Sequence, residues 1–341
     1  MRAVQQTGFG GTAVLEPATV PDPAAGPEDV VVRVEACGLN RLDLLQRTGA
    51  VRLPGFSLPH VGGMDVAGVV ADAGSRSTVP VGARVVVDPT VPCGRCALCR
   101  QGRGGHCAGV RVVGGNVDGG LAEYVAVPAS AVHRLPGDAD LVQAACLPSP
   151  WATAWHAVVA VGRLRAGETL LVPAAAGSIG LAAVQIGRLV GARVVASAST
   201  SAKAAALTAV GVDHVAVGDA ALADLVADVT DGAGVQVVLE HVGPATWGAS
   251  MAALAVGGRL VFLGNSSGDA VTFSLASAFH RGLELLGAGA YTAADMAAAL
   301  RAFWTGGGVA LVAAEHPLAE TAAAHDQLAD RSTVGRVLVR P

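Results

Sequence analysis

Two hydrophobic patterns in succession predict an α/β chain, with a β-rich part up to about residue 150 and a doubly wound parallel sheet after it. In the first part, short apolar runs (VVVRVEA, DVAGVVADAG, ARVVVDP, LAEYVAVP) alternate with Pro/Gly turns, as in a partly barrelled β domain. From Trp151 the order becomes strand, helix, strand: TLLVP, a glycine turn, the helical GLAAVQIGRLV, then ARVVASA. Strand-length runs follow at DHVAV, VQVVLEHVG, GRLVFLG and GLELLGAGA, and strands alternating with helices imply a parallel sheet. Residues 287–341 return to helix and strand through GRVLVRP, with no internal repeat. The alanine-rich stretches read as helix rather than as low-complexity linker.

The β-rich part carries Cys93, Cys96, Cys99 and Cys107 in VPCGRCALCRQGRGGHC. Two residues separate each of the first three and seven separate the third from the fourth, so one loop can wrap four sulfurs around a tetrahedral ion. One structural Zn2+ is the expected occupant, because zinc favours four thiolates and such a set leaves no open position for catalysis. Arg95, Arg100, Arg103 and Arg111 would offset the net negative charge of that centre. Free or disulfide-bonded cysteines are the alternative, disfavoured because the chain starts MRAVQQTGFG without an apolar signal segment. A nucleic-acid zinc ribbon usually has two separated cysteine pairs in a basic domain, unlike this single cluster.

In the second part, Ala174-Ala175-Ala176-Gly177-Ser178-Ile179-Gly180 sits between a predicted strand and a predicted helix. It reads as a dinucleotide-binding turn of a Rossmann sheet, A-x-G-x-x-G, with Ala175 in the first glycine position. Gly177 would let the backbone approach a pyrophosphate, Gly180 would let the helix pack on the strand, and the amides from Ser178 and Ile179 onward would face the phosphates. An NAD site usually ends the next strand in Asp or Glu. Here that position falls near Ala198, followed by Ser199, Thr200, Ser201 and Lys203. With no carboxylate to repel a 2′-phosphate, and with hydroxyls and a cation to bind it, NADP(H) is the expected cofactor.

The 341 residues are enough for two cores, and 52% are hydrophobic. A formal net charge of −4 gives no electrostatic case for nucleic acid or an anionic membrane. The apolar runs are far shorter than the roughly 20 residues that span a bilayer. A soluble, cytoplasmic protein acting on a small molecule is the expectation.

With both motifs in hand, the chain resembles the medium-chain dehydrogenase/reductase superfamily over essentially its whole length, and most closely its quinone-oxidoreductase-like members with a zinc lobe. The matching segments include ACGLNRLDLLQRTGA, PHVGGMDVAGVVADAG, the cysteine lobe, GGLAEYVAVP, AACLPSPWATAWHAV, the AAAGSIG turn and HDQLADRSTVGRVLVRP. The resemblance implies a GroES-like β domain with an inserted Rossmann domain. The boundaries read as a catalytic domain over 1–150 with its zinc lobe at 93–107, a nucleotide domain over 151–286, and a return to the catalytic domain over 287–341. It also implies nicotinamide-side contacts from Thr153, Val242, Gly264 and Asn265, and a homodimer paired near GLELLGAGA.

The same resemblance shows departures. Matching the motifs of zinc alcohol dehydrogenases puts Asn40, Met64 and Ser149 where three catalytic zinc ligands belong. A carboxamide, a thioether and a hydroxyl make a poor zinc site. The expected chemistry is therefore hydride transfer from NADPH to a quinone or α,β-unsaturated carbonyl without a catalytic zinc. Asn40 is the polar contact to substrate and Asp43 its support. Two alternatives stand beside this reading: a zinc-dependent alcohol dehydrogenase with ligands relocated to Cys37 or His60, and a non-catalytic NADP-binding protein.

Overall fold

The computed structural model describes residues 1–341 except Asp219 and the side chain of Ala220. The chain divides into two compact units, one formed by Met1–Ser149 with Ala310–Pro341, the other by Pro150–Val309. The sequence reading closes the inserted domain at 286. The residues between there and Val309 belong to the second unit, where a helix at 293–305 packs Phe303 edge-on against Trp151 with ring centroids 4.9 Å apart.

The first unit begins with β1 (Arg2–Gln6), β2 (Leu15–Thr19), β3 (Asp29–Gly38), α1 (Arg41–Thr48), β4 (His60–Val61), β5 (Asp65–Ala73), β6 (Arg84–Val87) and β7 (Thr90–Val91). It continues with α2 (Ala97–Arg100), β8 (Arg111–Val112), β9 (Tyr124–Pro128), β10 (Val132–Arg134), α3 (Leu141–Ala144) and the start of α4 (Pro148–Trp155). The second unit adds β11 (Thr169–Val172), α5 (Ser178–Val190), β12 (Arg193–Ala198), α6 (Ser201–Ala209), β13 (His214–Val217), α7 (Ala220–Thr230) and β14 (Val235–Glu240). There follow α8 (Pro244–Ala253), β15 (Leu254–Phe262), α9 (Leu275–His280), β16 (Glu284–Gly287) and α10 (Ala293–Thr305). The chain then re-enters the first unit with β17 (Val312–Pro317), α11 (Thr321–Ala329) and β18 (Arg336–Arg340).

In the first unit one sheet runs β10-β6-β5-β3-β18-β17, with β9 also paired to β3, and a smaller sheet runs β2-β1-β4. Alternation along β3 and β5 puts Val30, Val32, Val34, Val66 and Val70 into a core that also takes Val337 and Val339 from β18. The late strand is thus part of this core, pairing Leu338 with Gly38 and Val339 with Cys37. Helix α1 starts on a capping box, in which the backbone N–H of Asn40 donates to Asp43 Oδ2 at 2.7 Å, and it stops at Gly49 with φ of 80°.

In the second unit the sheet is parallel with order β13-β12-β11-β14-β15-β16. The third strand in sequence lies at one edge and the first two run inward from it; the fourth then joins the first on its other side. That is the doubly wound Rossmann order. Central β11 is buried along its whole length, as a strand covered on both faces must be. Helix α5 sits close on the sheet because Gly187 has no side chain; a Cβ there would lie 2.8 Å from Leu170. Among the described residues no helix is long and apolar enough to cross a membrane.

Candidate functional site

The four cysteines converge as their spacing predicts. A two-residue ladder between β7 and β8 (Thr90 with Val112, Val91 with Arg111) pinches the base of the loop. The four sulfurs lie within 4.8 Å of one another. Neighbouring separations are 3.4 Å for Cys96–Cys99, 3.7 Å for Cys96–Cys107 and 3.9 Å for Cys93–Cys99. A tetrahedron of sulfurs at the usual zinc distance has edges of about 3.8 Å, so the donor set and its spacing fit a tetrathiolate metal. Among the described residues this is the one group of three or more Cys, His, Asp or Glu placed to hold an ion.

Elsewhere in the first unit, Asn40 and Ser149, two of the three positions that the resemblance matches to catalytic zinc ligands, hydrogen-bond to Asp65 at the start of β5. Asp65 is fully buried and receives four donors. Ser149 gives Oδ1 its backbone N–H at 3.0 Å and its hydroxyl at 2.5 Å. Oδ2 takes Asn40 Nδ2 at 3.0 Å and Arg336 Nη2 at 2.5 Å. Arg336, buried at the start of β18, also donates from Nη1 to Asn40 Oδ1 at 2.9 Å. Met64, which precedes Asp65 in sequence, is buried and adds no charge. A carboxylate that already accepts four bonds and pairs with a guanidinium could bind a metal only by giving them up.

Asp43 supports this cluster from below. Its carboxylate caps Asn40 and accepts the N–H of Gly63 at 3.2 Å. Burial pushes its pKa up to about 6, against these two hydrogen bonds and with help from the nearby Asp65 charge. The two candidates for relocated ligands are otherwise engaged. The thiol of Cys37 is wholly buried, and burial, then the Asp43 and Asp65 charges, hold its pKa well above the ordinary value. His60 has Nε2 against the Gly114 carbonyl at 3.1 Å and Nδ1 against Asp118 at 3.4 Å.

In the second unit the turn after β11 is anchored to the next strand. Ala174 N–H donates to Ser197 Oγ at 3.0 Å and Ala175 N–H to the Ser197 carbonyl at 2.8 Å. Gly177 is the N-cap of α5, and a Cβ built on it would meet nothing within 4 Å, so the approach to the helix N-terminus is open. At Gly180 a Cβ would lie 2.4 Å from the Ala175 carbonyl, which explains why only glycine fits there. Ser178 and Ile179 begin α5 and are half-buried. An open helix N-terminus behind a glycine fits a pyrophosphate. Ala198 ends β12 buried, and Ser199 and Thr200 follow exposed. Thr200 caps α6 by accepting the Lys203 N–H at 3.3 Å, and Lys203 Nζ reaches Ser199 Oγ at 3.4 Å. These three residues form one small polar group where a ribose carboxylate partner is usual.

The ends of β14 and β15 bring Val242, Gly264 and Asn265 to the same edge of the sheet. The Val242 carbonyl accepts Ser267 N–H and Oγ, both at 2.8 Å, and a Cβ on Gly264 would lie 2.3 Å from the His241 carbonyl. Thr153 is half-buried on α4. Sequence reasoning missed Glu240 here. Fully buried at the end of β14, it accepts Val242 N–H at 2.8 Å, Gly243 N–H at 3.0 Å, and the hydroxyls of Thr246 and Ser250. It fixes the backbone that carries Val242. The signal was an acid at the end of a mostly apolar strand, VQVVLE. Arg336 and Ser197 were also missed, and neither stands out in its segment.

Residues 26–137 match the alcohol dehydrogenase GroES-like domain family, and residues 178–305 match the zinc-binding dehydrogenase family. A probable quinone oxidoreductase of Schizosaccharomyces pombe is 32% identical over 81% of this chain and 75% of its own. An acryloyl-coenzyme A reductase of Sulfurisphaera tokodaii is 27% identical over 94% and 95%. Among solved structures, an NAD-dependent alcohol dehydrogenase superposes with a TM-score of 0.93 at 34% identity, covering 100% of both chains. A zinc-binding dehydrogenase from Sinorhizobium meliloti bound to NADP does so at 0.87 and 30%, covering 100% of this chain and 99% of that one. This chain belongs to the medium-chain dehydrogenase/reductase superfamily, with a GroES-like domain and a Rossmann sheet.

Proposed function

We propose that this protein is an NADPH-dependent reductase of activated acceptors, a quinone or a carbon–carbon double bond conjugated to a carbonyl, working without a catalytic zinc. The observation that carries the reading is the cluster at Asp65. The three ligand positions hold Asn40, Met64 and Ser149, and the acid that the Asn40 and Ser149 side chains reach, Asp65, is saturated by Asn40, Ser149 and Arg336. Such a donor set does not suit a Lewis-acid metal for alkoxide formation. Relatives named quinone oxidoreductase and acryloyl-coenzyme A reductase support the same class of acceptor.

The cofactor would lie on the turn Ala175–Gly180, its adenosine phosphate toward Ser199, Thr200 and Lys203, and its nicotinamide side toward Thr153, Val242, Gly264 and Asn265. When bound, it supplies a hydride equivalent. Because one solved relative is named NAD-dependent and another is bound to NADP, the preference for NADP(H) rests on the missing carboxylate at Ala198. Adding hydride to a conjugated carbon moves charge onto the carbonyl oxygen, so this chain must provide a donor there. Asn40 is only half-buried, and its amide nitrogen has a second hydrogen beyond the one given to Asp65. It is the donor, Asp43 holds its helix end, and water supplies the proton to carbon. The four-cysteine lobe holds one structural Zn2+. A homodimer through edge strand β16 is consistent with exposed Val256, Phe262, Phe273, Leu275 and Phe279 in the same unit.

The test is to follow NADPH and NADH consumption with a quinone, methyl vinyl ketone and the matching saturated ketone, with zinc counted per chain. Turnover of the first two acceptors with NADPH at about one zinc is the expected result. Chelator-sensitive alcohol oxidation at two zincs per chain would instead establish relocated ligands. Equal use of NADH would remove the NADP(H) assignment alone.

A further inference from the structure

We propose that Arg336 is a positioning residue, locking the Asn40 carboxamide in the one orientation that leaves an N–H free for the substrate's carbonyl oxygen. The inference rests on the function proposed above and adds a residue to it.

A carboxamide can sit in either of two ways, related by exchange of its oxygen and nitrogen. Here the choice is settled by charge. Asn40 Oδ1 faces Arg336 Nη1 at 2.9 Å and Nδ2 faces Asp65 Oδ2 at 3.0 Å. Exchanging them would set an NH2 group against a guanidinium and an oxygen against a carboxylate. Two charge-assisted bonds would become two repulsions. Arg336 closes the ring by giving Nη2 to the same Asp65 oxygen that Asn40 uses. A planar guanidinium can bridge the two acceptors at once, whereas a lysine is a point donor.

The donor count then singles out Asn40. The Ser149 hydroxyl proton is committed to Asp65 Oδ1, and Asp65 offers none. Arg336 is 4% exposed and spends both terminal nitrogens inside the network. Asn40 is only half-buried and has one amide hydrogen beyond that given to Asp65. A cation on its oxygen also draws electrons from the amide, which strengthens that N–H as a donor. The chain is shaped for this guanidinium. Gly38, beside it on β3, has no side chain, and a Cβ there would lie 2.4 Å from Arg336 Nη2.

The experiment uses the full chain with zinc bound and reads kcat, the acceptor KM and the NADPH Kd separately. Asn40→Ala is expected to lower kcat about 100-fold, the effect of losing one oxyanion donor. Arg336→Lys, with the charge kept but the bridge lost, is expected to lower kcat about tenfold with the NADPH Kd unchanged. In the Asn40→Ala background the same Arg336→Lys change should have no further effect, because it acts through Asn40. If Arg336→Lys fails to fold, the paired Arg336→Leu/Asp65→Leu variant removes both charges together and should show the Asn40→Ala loss. A wild-type kcat in Arg336→Lys or in the paired variant would overturn the proposal and leave the reductase reading standing. So would an equal tenfold loss with and without Asn40. A wild-type enzyme that reduces no activated acceptor would sink the reductase reading, and this inference with it.

Discussion

The cysteine lobe and the Asp65 cluster lie in the same unit, and they handle charge in opposite ways. In the lobe, four sulfurs from one short loop crowd to within 4.8 Å, a donor set and spacing that fit a tetrathiolate metal. In the cluster, a single carboxylate is neutralised by a guanidinium and two neutral side chains brought from distant parts of the chain. The lobe is local and, with four sulfurs and no cation of its own among them, could take an ion from outside. The cluster is long-range and carries its own cation.

The largest effect should come from the lobe. Cys107→Ser removes the buried member of the four and should abolish metal retention. Structural zinc sites of this kind contribute on the order of 10 kcal/mol of apparent binding free energy. Elemental analysis should fall from about one zinc per chain to none, and limited proteolysis should cut within residues 93–107. Retained zinc would mean that the ion sits elsewhere, and the contrast between the two regions would collapse.

A smaller effect follows in the cluster. Arg336→Met leaves Asp65 buried and unpaired, which should cost about 3–5 kcal/mol, whereas Arg336→Met with Asp65→Leu should recover most of it. Zinc content should be unchanged in both variants. Denaturant unfolding read beside metal analysis would show whether the two regions are as independent as their geometry implies. Gly38→Ala tests the same cluster more gently. The added methyl meets Arg336 and the Ala145 carbonyl at 2.4 Å, and should cost about 1–3 kcal/mol.

The mildest contrast is in pH. Metal-bound thiolates lose their ion as pH falls, so the lobe's contribution grows with rising pH. Asp43 works the other way. Its pKa rises from 3.8 unfolded to about 6 folded, so the folded state binds more protons between those values. Its effect on stability is therefore unfavourable and grows as pH rises from about 4 to about 6. Asp43→Asn should flatten that part of the profile and leave the metal-dependent part intact. Urea unfolding between pH 4 and 7 checks this, and an unchanged slope would mean that Asp43 is not the group titrating.

The same contrast explains what the sequence could reveal. The lobe was legible because its ligands fall within one loop, and spacing alone encodes their meeting. The turn Ala175–Gly180 was legible because its strand, turn and helix are consecutive. Asn40, Met64 and Ser149 were legible as replacements only through resemblance. Nothing local says that Asn40 and Ser149 both bond to Asp65, or that Arg336, 296 residues from Asn40, completes the ring. Either arginine in GRVLVRP looks like any strand-edge cation. Glu240 hides similarly, because its four donors come from the turn and helix that follow it rather than from an opposite charge. Long-range polar contacts leave no period in a sequence, whereas apolar alternation and loop spacing do.

One consequence of the split first unit concerns the order of synthesis. Asp65 leaves the ribosome early, but β18, which carries its guanidinium partner, follows the whole of the second unit. The nucleotide-binding sheet is contiguous and can close while the earlier strands still wait for their last neighbour. A nascent chain that has released residues through Val309 should therefore hold a folded Rossmann unit while the first unit still lacks β18 and Asp65 lacks its guanidinium partner. That intermediate would be a natural client for a chaperone.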